Sequence, residues 1–190
     1  LAAFNYTVYQ ACERTGGAKG VKSGMPFHSE KNDRQWLGAG YYFWKEDVDL
    51  AHTWGEKSVK GTDYAITEHE LNFDENELLD LIGSPLDIKC FIELIDDWKT
   101  YTNKTFGNHG KKATVSKIIQ YFKRLDAFPW KGVAACHDTT ISDAGGRHKF
   151  IDLNRARESI ALNRFQQICL YEGNEEHIER SKIVFPKDWQ

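Results

Sequence analysis

The side chains able to do chemistry are spread along the chain, so the first question is which of them can meet. Seven histidines are scattered, and no H-E-x-x-H pair puts two of them on one helical turn for a metal. In Glu68-His69-Glu70 a histidine sits between two carboxylates. Neighbours on a strand point to opposite faces, however, so the three do not converge. Cys12, Cys90, Cys136 and Cys169 lie far apart in apolar runs. Zinc sites usually want C-x₂-C pairs, so these read as buried, reduced thiols of a cytosolic protein. There is no Walker loop and no G-x-S-x-G elbow, and Gly16, Gly17 and Gly20 form only a loose cluster after the first apolar run. His137 and Asp138 end another apolar segment, with nothing in the sequence to show what they face.

These side chains need elements to position them. Residues 4–12 (FNYTVYQAC) read as a first strand. Residues 13–35, rich in Gly, Ser, Lys and Asn, read as a long loop of the kind that is often functional. In residues 38–44 (GAGYYFW) two glycines let the backbone turn or approach a ligand, and four aromatics then suit a short strand. Residues 46–59 have a helical period, with Val48, Ala51, Trp54 and Val59 on one face and Asp47 and Asp49 at the end the dipole favours. Residues 63–73 alternate: Ala65, Thr67, Leu71 and Phe73 share one side, with His69 the odd member.

Helices are expected over 75–82, 87–102 and 111–125. The second carries the stripe Ile88, Phe91, Leu94, Ile95, Trp98 and Tyr101, and the third Val115, Ile118, Ile119, Phe122 and Leu125. Opposite the third stripe lie Lys112, Lys117, Lys123 and Arg124, a solvated face or a contact for phosphates. Residues 131–137, 164–171 and 181–185 read as strands. Strands at both ends with helices between argue for α+β and against a doubly wound α/β sheet.

The 190 residues suit one domain, 1–190. A net charge of −3 supplies no general field for nucleic acid. No run approaches the ~18 apolar residues of a membrane span, and no signal peptide is visible. The expected setting is the cytoplasm, with delivery from another cell left open. Aromatics make up 13 % of the chain, enough for stacking surfaces around a pocket as well as a core.

One stretch is more specific: Arg34-Gln-Trp-Leu-Gly-Ala-Gly-Tyr-Tyr-Phe-Trp, then Ala51, then Trp54-Gly55. It resembles the ADP-ribosyltransferase-like superfamily, the fold shared by poly(ADP-ribose) polymerases and diphtheria toxin. Within it, the stretch is most similar to bacterial members with a W-L-G-x-G-x-Y-F-W motif. Val8-Tyr9-Gln10 and the strand Phe165–Leu170 sit where the family has its first and last motifs.

The resemblance implies two small antiparallel sheets forming an NAD cleft, with helical insertions. It implies NAD as co-substrate and no metal. Gln10 stands where the polymerase-like branch holds a ribose with histidine. Tyr42, with Tyr41 next, matches the tyrosine that stacks on nicotinamide, and Gly40 belongs to the same stretch. Arg14 is a candidate for the NAD phosphates, with Arg34 a further candidate or a solvated side chain, and His28 is a candidate to replace the histidine that Gln10 displaces. Gln167 replaces the glutamate that stabilises the oxocarbenium-like charge, which leaves Glu158 as a carboxylate supplied from the preceding segment.

The implied activity is an NAD-dependent ADP-ribosyltransferase. The acceptor would be a protein or a nucleic acid, and the setting a toxin, toxin–antitoxin or phage-defence system with an antitoxin or immunity protein as partner. The two glutamines keep open a module that binds NAD or ADP-ribose without turnover. An NAD glycohydrolase is the third reading.

Overall fold

A computed structural model describes residues 3–29, 35–58, 63–106, 114–136, 147–149, 159–161 and 164–190. The chain opens on β1 (Ala3–Glu13), α1 (Gly17–Gly24), β2 (Tyr41–Lys45), α2 (Val48–Ser58) and β3 (Tyr64–Asp74). It continues through β4 (Leu78–Asp80), α3 (Pro85–Phe106), α4 (Val115–Arg124) and β5 (Gly132–Cys136). β6 (Arg147–Lys149), β7 (Ser159–Ala161), β8 (Gln166–Leu170) and β9 (Ile178–Phe185) complete it.

The architecture is α+β. Seven strands form one sheet in the order β4-β5-β8-β2-β1-β3-β9, and β6 and β7 pair separately. Within the large sheet β4–β5 is parallel and the other pairs are antiparallel. The expected two small antiparallel sheets are therefore corrected to a single mixed sheet, hydrogen-bonded from edge to edge, plus one short pair.

That sheet is not flat. Phe73 on β3 lies 3.4 Å from where a Cβ on Gly132 of β5 would sit. Four strand steps separate β3 from β5, roughly 19 Å in a flat sheet. The sheet must fold over on itself, and a shared core shows where. Val8, Leu71 and Phe73 from β1 and β3 pack with Phe43, Ala134, Ile168 and Leu170 from β2, β5 and β8. The fold line is the junction of β1 and β2, which pair only at Val8–Lys45 and Tyr9–Trp44. A second core lies where α3 and α4 cover the β5–β8 half, through Phe91, Ile118, Ile119 and Phe122 against Leu79, Val133 and Cys169, with Leu37 inserted.

Several local expectations change. Residues 75–82 form a turn and β4, because Leu78 and Leu79 are both buried beside β5 and the Asp80 carboxylate accepts from the Ile82 and Gly83 N–H groups. The expected loop at 13–35 contains α1. Its only buried residue is Val21, so no hydrophobic period announces it. α2 is rotated from the expected stripe. It buries Leu50, Ala51 and Gly55, and a Cβ on Gly55 would stand 2.4 Å from the Tyr64 ring. Trp54 is left 44 % exposed.

Cys12 and Cys169 are buried, but Cys90 is exposed on α3. Lys123 leaves the solvated face expected for it. Its ammonium lies over the Tyr171 ring, and burial draws its pKa down to about 8. Among the described residues no helix is long and apolar enough to cross a membrane.

Candidate functional site

Beyond Tyr9 and Trp44, β1 and β2 part along the seam between them. The space between them is a cleft of ≈ 820 Å³, within the ~300–1,000 Å³ typical of small-molecule sites. Residues 10–13 of β1 form one wall. Tyr42 and Trp44 of β2, with Phe165 and Gln167 beside them, form another. Trp54 and Lys57 of α2 close one side, and the segments around Phe27 and Trp36 close the other. The start of β8 is pinned to the start of α2 by a two-pronged Arg164–Asp47 pair, which holds the Asp47 carboxyl below its ordinary pKa.

Strand alternation decides between the neighbouring tyrosines. Phe43 is fully buried in the core, so Tyr42 and Trp44 take the opposite face and line the cleft. In register, Tyr42 stands opposite Cys169 and Trp44 opposite Gln167. The Tyr42 hydroxyl accepts from Leu37 N–H at 2.9 Å and donates to Gly38 C=O at 2.7 Å. Its phenol thus ties down the loop before β2, and burial raises its pKa strongly. Gly38 has φ 103°, a conformation that favours glycine, and Tyr171 holds the same loop by donating to Leu37 C=O.

Gln167 presents one end of its amide. Its Oε1 accepts from the Trp36 indole N–H at 3.0 Å, and its Nε2 has no partner among the described residues. The amide is thereby oriented as a donor toward the cleft.

Gln10 is used differently. Its Nε2 donates to Phe27 C=O at 2.8 Å and to Tyr42 C=O at 3.2 Å, while its Oε1 accepts from Phe27 N–H at 2.7 Å. Side-chain bonds replace ladder bonds where β1 and β2 diverge. Both amide protons are committed, and Oε1 already accepts one bond.

Tyr41, Gly40 and Arg14 are not among the residues that line the cleft. Tyr41 points to the far face and donates to Glu175 Oε1 at 2.8 Å, with its pKa pushed up to about 12 by burial and by that carboxylate. Gly40 serves the protein itself: a Cβ there would stand 2.5 Å from Leu170 C=O and 3.0 Å from Cys169 Sγ. Arg14 donates from Nε to Tyr64 C=O and lies over Phe185 and Trp189, 5.3 Å from each ring centroid. Those contacts turn it toward the start of β3 and the end of β9.

His28 lines the cleft but lies edge-on to Tyr41, with Nε2 at 4.0 Å from Glu172, beyond hydrogen-bond reach. Glu158, Arg34, His137 and Asp138 lie outside the described residues. As alternation required, the Glu68-His69-Glu70 run diverges. His69 is buried, bonded to Thr67 and Ser181, while Glu68 pairs with Lys182 and Glu70 with Arg180.

The described lining offers one carboxylate, Glu13, and one ammonium, Lys57. Cys12 also lines it, but burial pushes its pKa up to about 11, so it is no thiolate nucleophile at neutral pH. No group of three or more His, Cys, Asp or Glu among the described residues is arranged for a metal. The described lining is therefore richer in rings than in charge, with the Gln167 amide as its oriented donor. Trp36, Trp44 and Lys57 are the contributors not singled out from sequence. Trp36 and Trp44 stand inside the W-L-G-x-G-x-Y-F-W stretch, so the signal for them was present. No family model, no curated protein and no solved structure matches this chain.

Proposed function

We propose that the cleft binds NAD and that the protein is an NAD-dependent ADP-ribosyltransferase. The observation that carries this is the meeting of Tyr42 and Gln167, from opposite ends of the chain, on one wall of a cleft of dinucleotide scale. In this reading nicotinamide lies against the Tyr42 ring and the Gln167 Nε2 donates to a hydroxyl of the adjoining ribose. The glycosidic bond breaks with its electron pair returning to the pyridinium ring, so nicotinamide leaves neutral. The acceptor's lone pair closes on the anomeric carbon from the opposite face, and its proton is released to solvent. Gln10 contributes by bridging the strands where the cleft opens, and its Oε1 is the group that would contact a ribose. Glu158 remains the candidate for the carboxylate that Gln167 lacks. A toxin or phage-defence effector acting in the cytoplasm, neutralised by an antitoxin or immunity protein, is the setting that such an activity implies.

A second reading, NAD binding without turnover, is favoured by one observation. The amide facing the developing cation is neutral and turns its carbonyl away, toward Trp36. A carboxylate in a dry site gives far more transition-state stabilisation than such an amide.

NAD labelled in the adenine moiety, incubated with the protein and a bacterial lysate beside Gln167→Ala and Gln167→Glu, separates the readings. Label entering macromolecules in a Gln167-dependent way supports the transferase. Free ADP-ribose alone makes it a glycohydrolase, and tight binding with no nicotinamide release makes it a binding module. If calorimetry finds no NAD binding, all three fall. Gln167→Glu is expected to raise nicotinamide release about ten-fold or more, since it restores charge where the cation forms.

A further inference from the structure

We propose that the outer part of the cleft, around Trp54 and Lys57, is a binding station for the nucleobase of a nucleotide acceptor. Several large apolar side chains are exposed among the described residues, and Trp54 is the one of them that also lines the cleft. Its ring stands 6.2 Å from that of Trp44, inclined by 60°. Trp44 supports the Trp54 indole from one side, and 44 % of Trp54 stays open to solvent.

Lys57 and Ser58 follow three and four residues later, so they share the helix surface with Trp54, and both line the same cleft. A partly exposed indole with an ammonium and a hydroxyl one turn away suits a base stacked on the ring and a phosphate near the ammonium. An apolar protein side chain would use the ring and leave Lys57 without a role. The net charge of −3 provides no long-range attraction, so stacking carries the affinity and the dependence on salt stays small. One phosphate contact on a single strand gives a slope of about −0.7 in log affinity against log salt.

The identity of the donor rests on the NAD reading, but the station does not, because it is measured without NAD. Short fluorescein-labelled single-stranded RNA and DNA are titrated into the full chain and followed by anisotropy, with nucleoside monophosphates as competitors. Trp54→Ala is expected to weaken oligonucleotide binding about ten-fold or more, and Trp54→Phe to restore most of it. Ile92→Ala, which removes an exposed apolar residue on α3, serves as the surface control. Monophosphates that compete fully identify a free nucleotide as the source, and oligonucleotides that bind much more tightly identify a nucleic acid. The proposal is overturned if neither probe binds the wild-type chain. It is also overturned if Trp54→Ala lowers affinity for NAD and leaves that for oligonucleotides intact, which would make Trp54 part of the donor site. NAD binding is measured separately, so failure of the station and failure of the NAD reading give different results.

Discussion

β1 treats its two neighbours in opposite ways. With β3 it forms a continuous ladder of eleven residue pairs, and with β2 it keeps two. On the β3 side the backbone ladder runs unbroken, and the Thr67 hydroxyl adds a bond to Gln10 C=O. On the β2 side the ladder stops at Tyr9–Trp44, the Gln10 amide bridges the widening gap, and the cleft begins. A site of this kind arises where regular pairing is given up and side chains satisfy the backbone groups it releases. The two glutamines show the same contrast within the cleft. Gln10 has both amide protons committed to the fold, whereas among the described residues Gln167 has only its oxygen committed, to Trp36.

The sharpest way to break the comparison is to empty the core under the seam. Phe43 is fully buried, packed with Val8, Ile168 and Leu170, and its ring lies 5.1 Å from that of His69. Phe43→Ala is expected to cost ~3–5 kcal/mol in denaturant unfolding. Because two residue pairs cannot hold the seam unaided, ligand binding should be lost before the β1–β3 half unfolds, which hydrogen exchange would resolve.

The continuous side carries a titrating group. Burial draws the His69 pKa down to about 4 from 6.5, and its partners Thr67 and Ser181 are neutral. The folded state therefore binds this proton less readily than the unfolded chain. The stabilisation from neutral His69 is complete above pH 6.5 and is lost as pH falls toward about 4. The loss is on the order of 3 kcal/mol. Urea unfolding across that range should show a shallower pH slope for His69→Gln than for the wild type. Equal slopes would mean that the ring is already solvated.

Gln10→Ala tests the bridge. It leaves Phe27 N–H, Phe27 C=O and Tyr42 C=O without their side-chain partner, and an expected ~1–3 kcal/mol of stability is lost. NAD affinity should fall with it. A variant that keeps full stability and loses only NAD would mean that Gln10 acts on the ligand directly.

Much of this arrangement was legible in the sequence, and the gaps have physical causes. β3 was readable because His69, Leu71 and Phe73 alternate with Glu68, Glu70 and Asn72, and α3 because Phe91, Leu94, Ile95 and Trp98 repeat with a helical period. β4 was not, since three residues hold too few alternations to distinguish a strand from a turn of helix. α1 escaped because one buried valine makes no pattern. Tyr42 and Gln167, which both line the cleft, stand in segments whose strand character was readable. The parting of β1 and β2 was not, because register and sheet bending are set by contacts between distant residues such as Phe73 and Gly132. Arg14 shows the same limit: its guanidinium is claimed by Tyr64, Phe185 and Trp189, which no local spacing reveals.

The smallest expected effect belongs to Tyr41 at the start of β2, and set beside Tyr42 it separates the two faces of that strand most cleanly. Tyr41→Phe removes an exposed hydrogen bond to Glu175 and should cost less than ~1 kcal/mol, with no change in NAD affinity. Tyr42→Phe keeps the ring and removes the bonds to Leu37 N–H and Gly38 C=O, so its stability cost should be the larger, ~1–3 kcal/mol. Tyr42→Ala also removes the ring, and should weaken NAD binding by a further ~1–3 kcal/mol. Calorimetric titration of the three variants with NAD ranks these contributions. If Tyr41→Phe weakened binding while Tyr42→Ala left it unchanged, the ligand would lie on the Glu175 side of β2, and the cleft at the seam would have to be given another occupant.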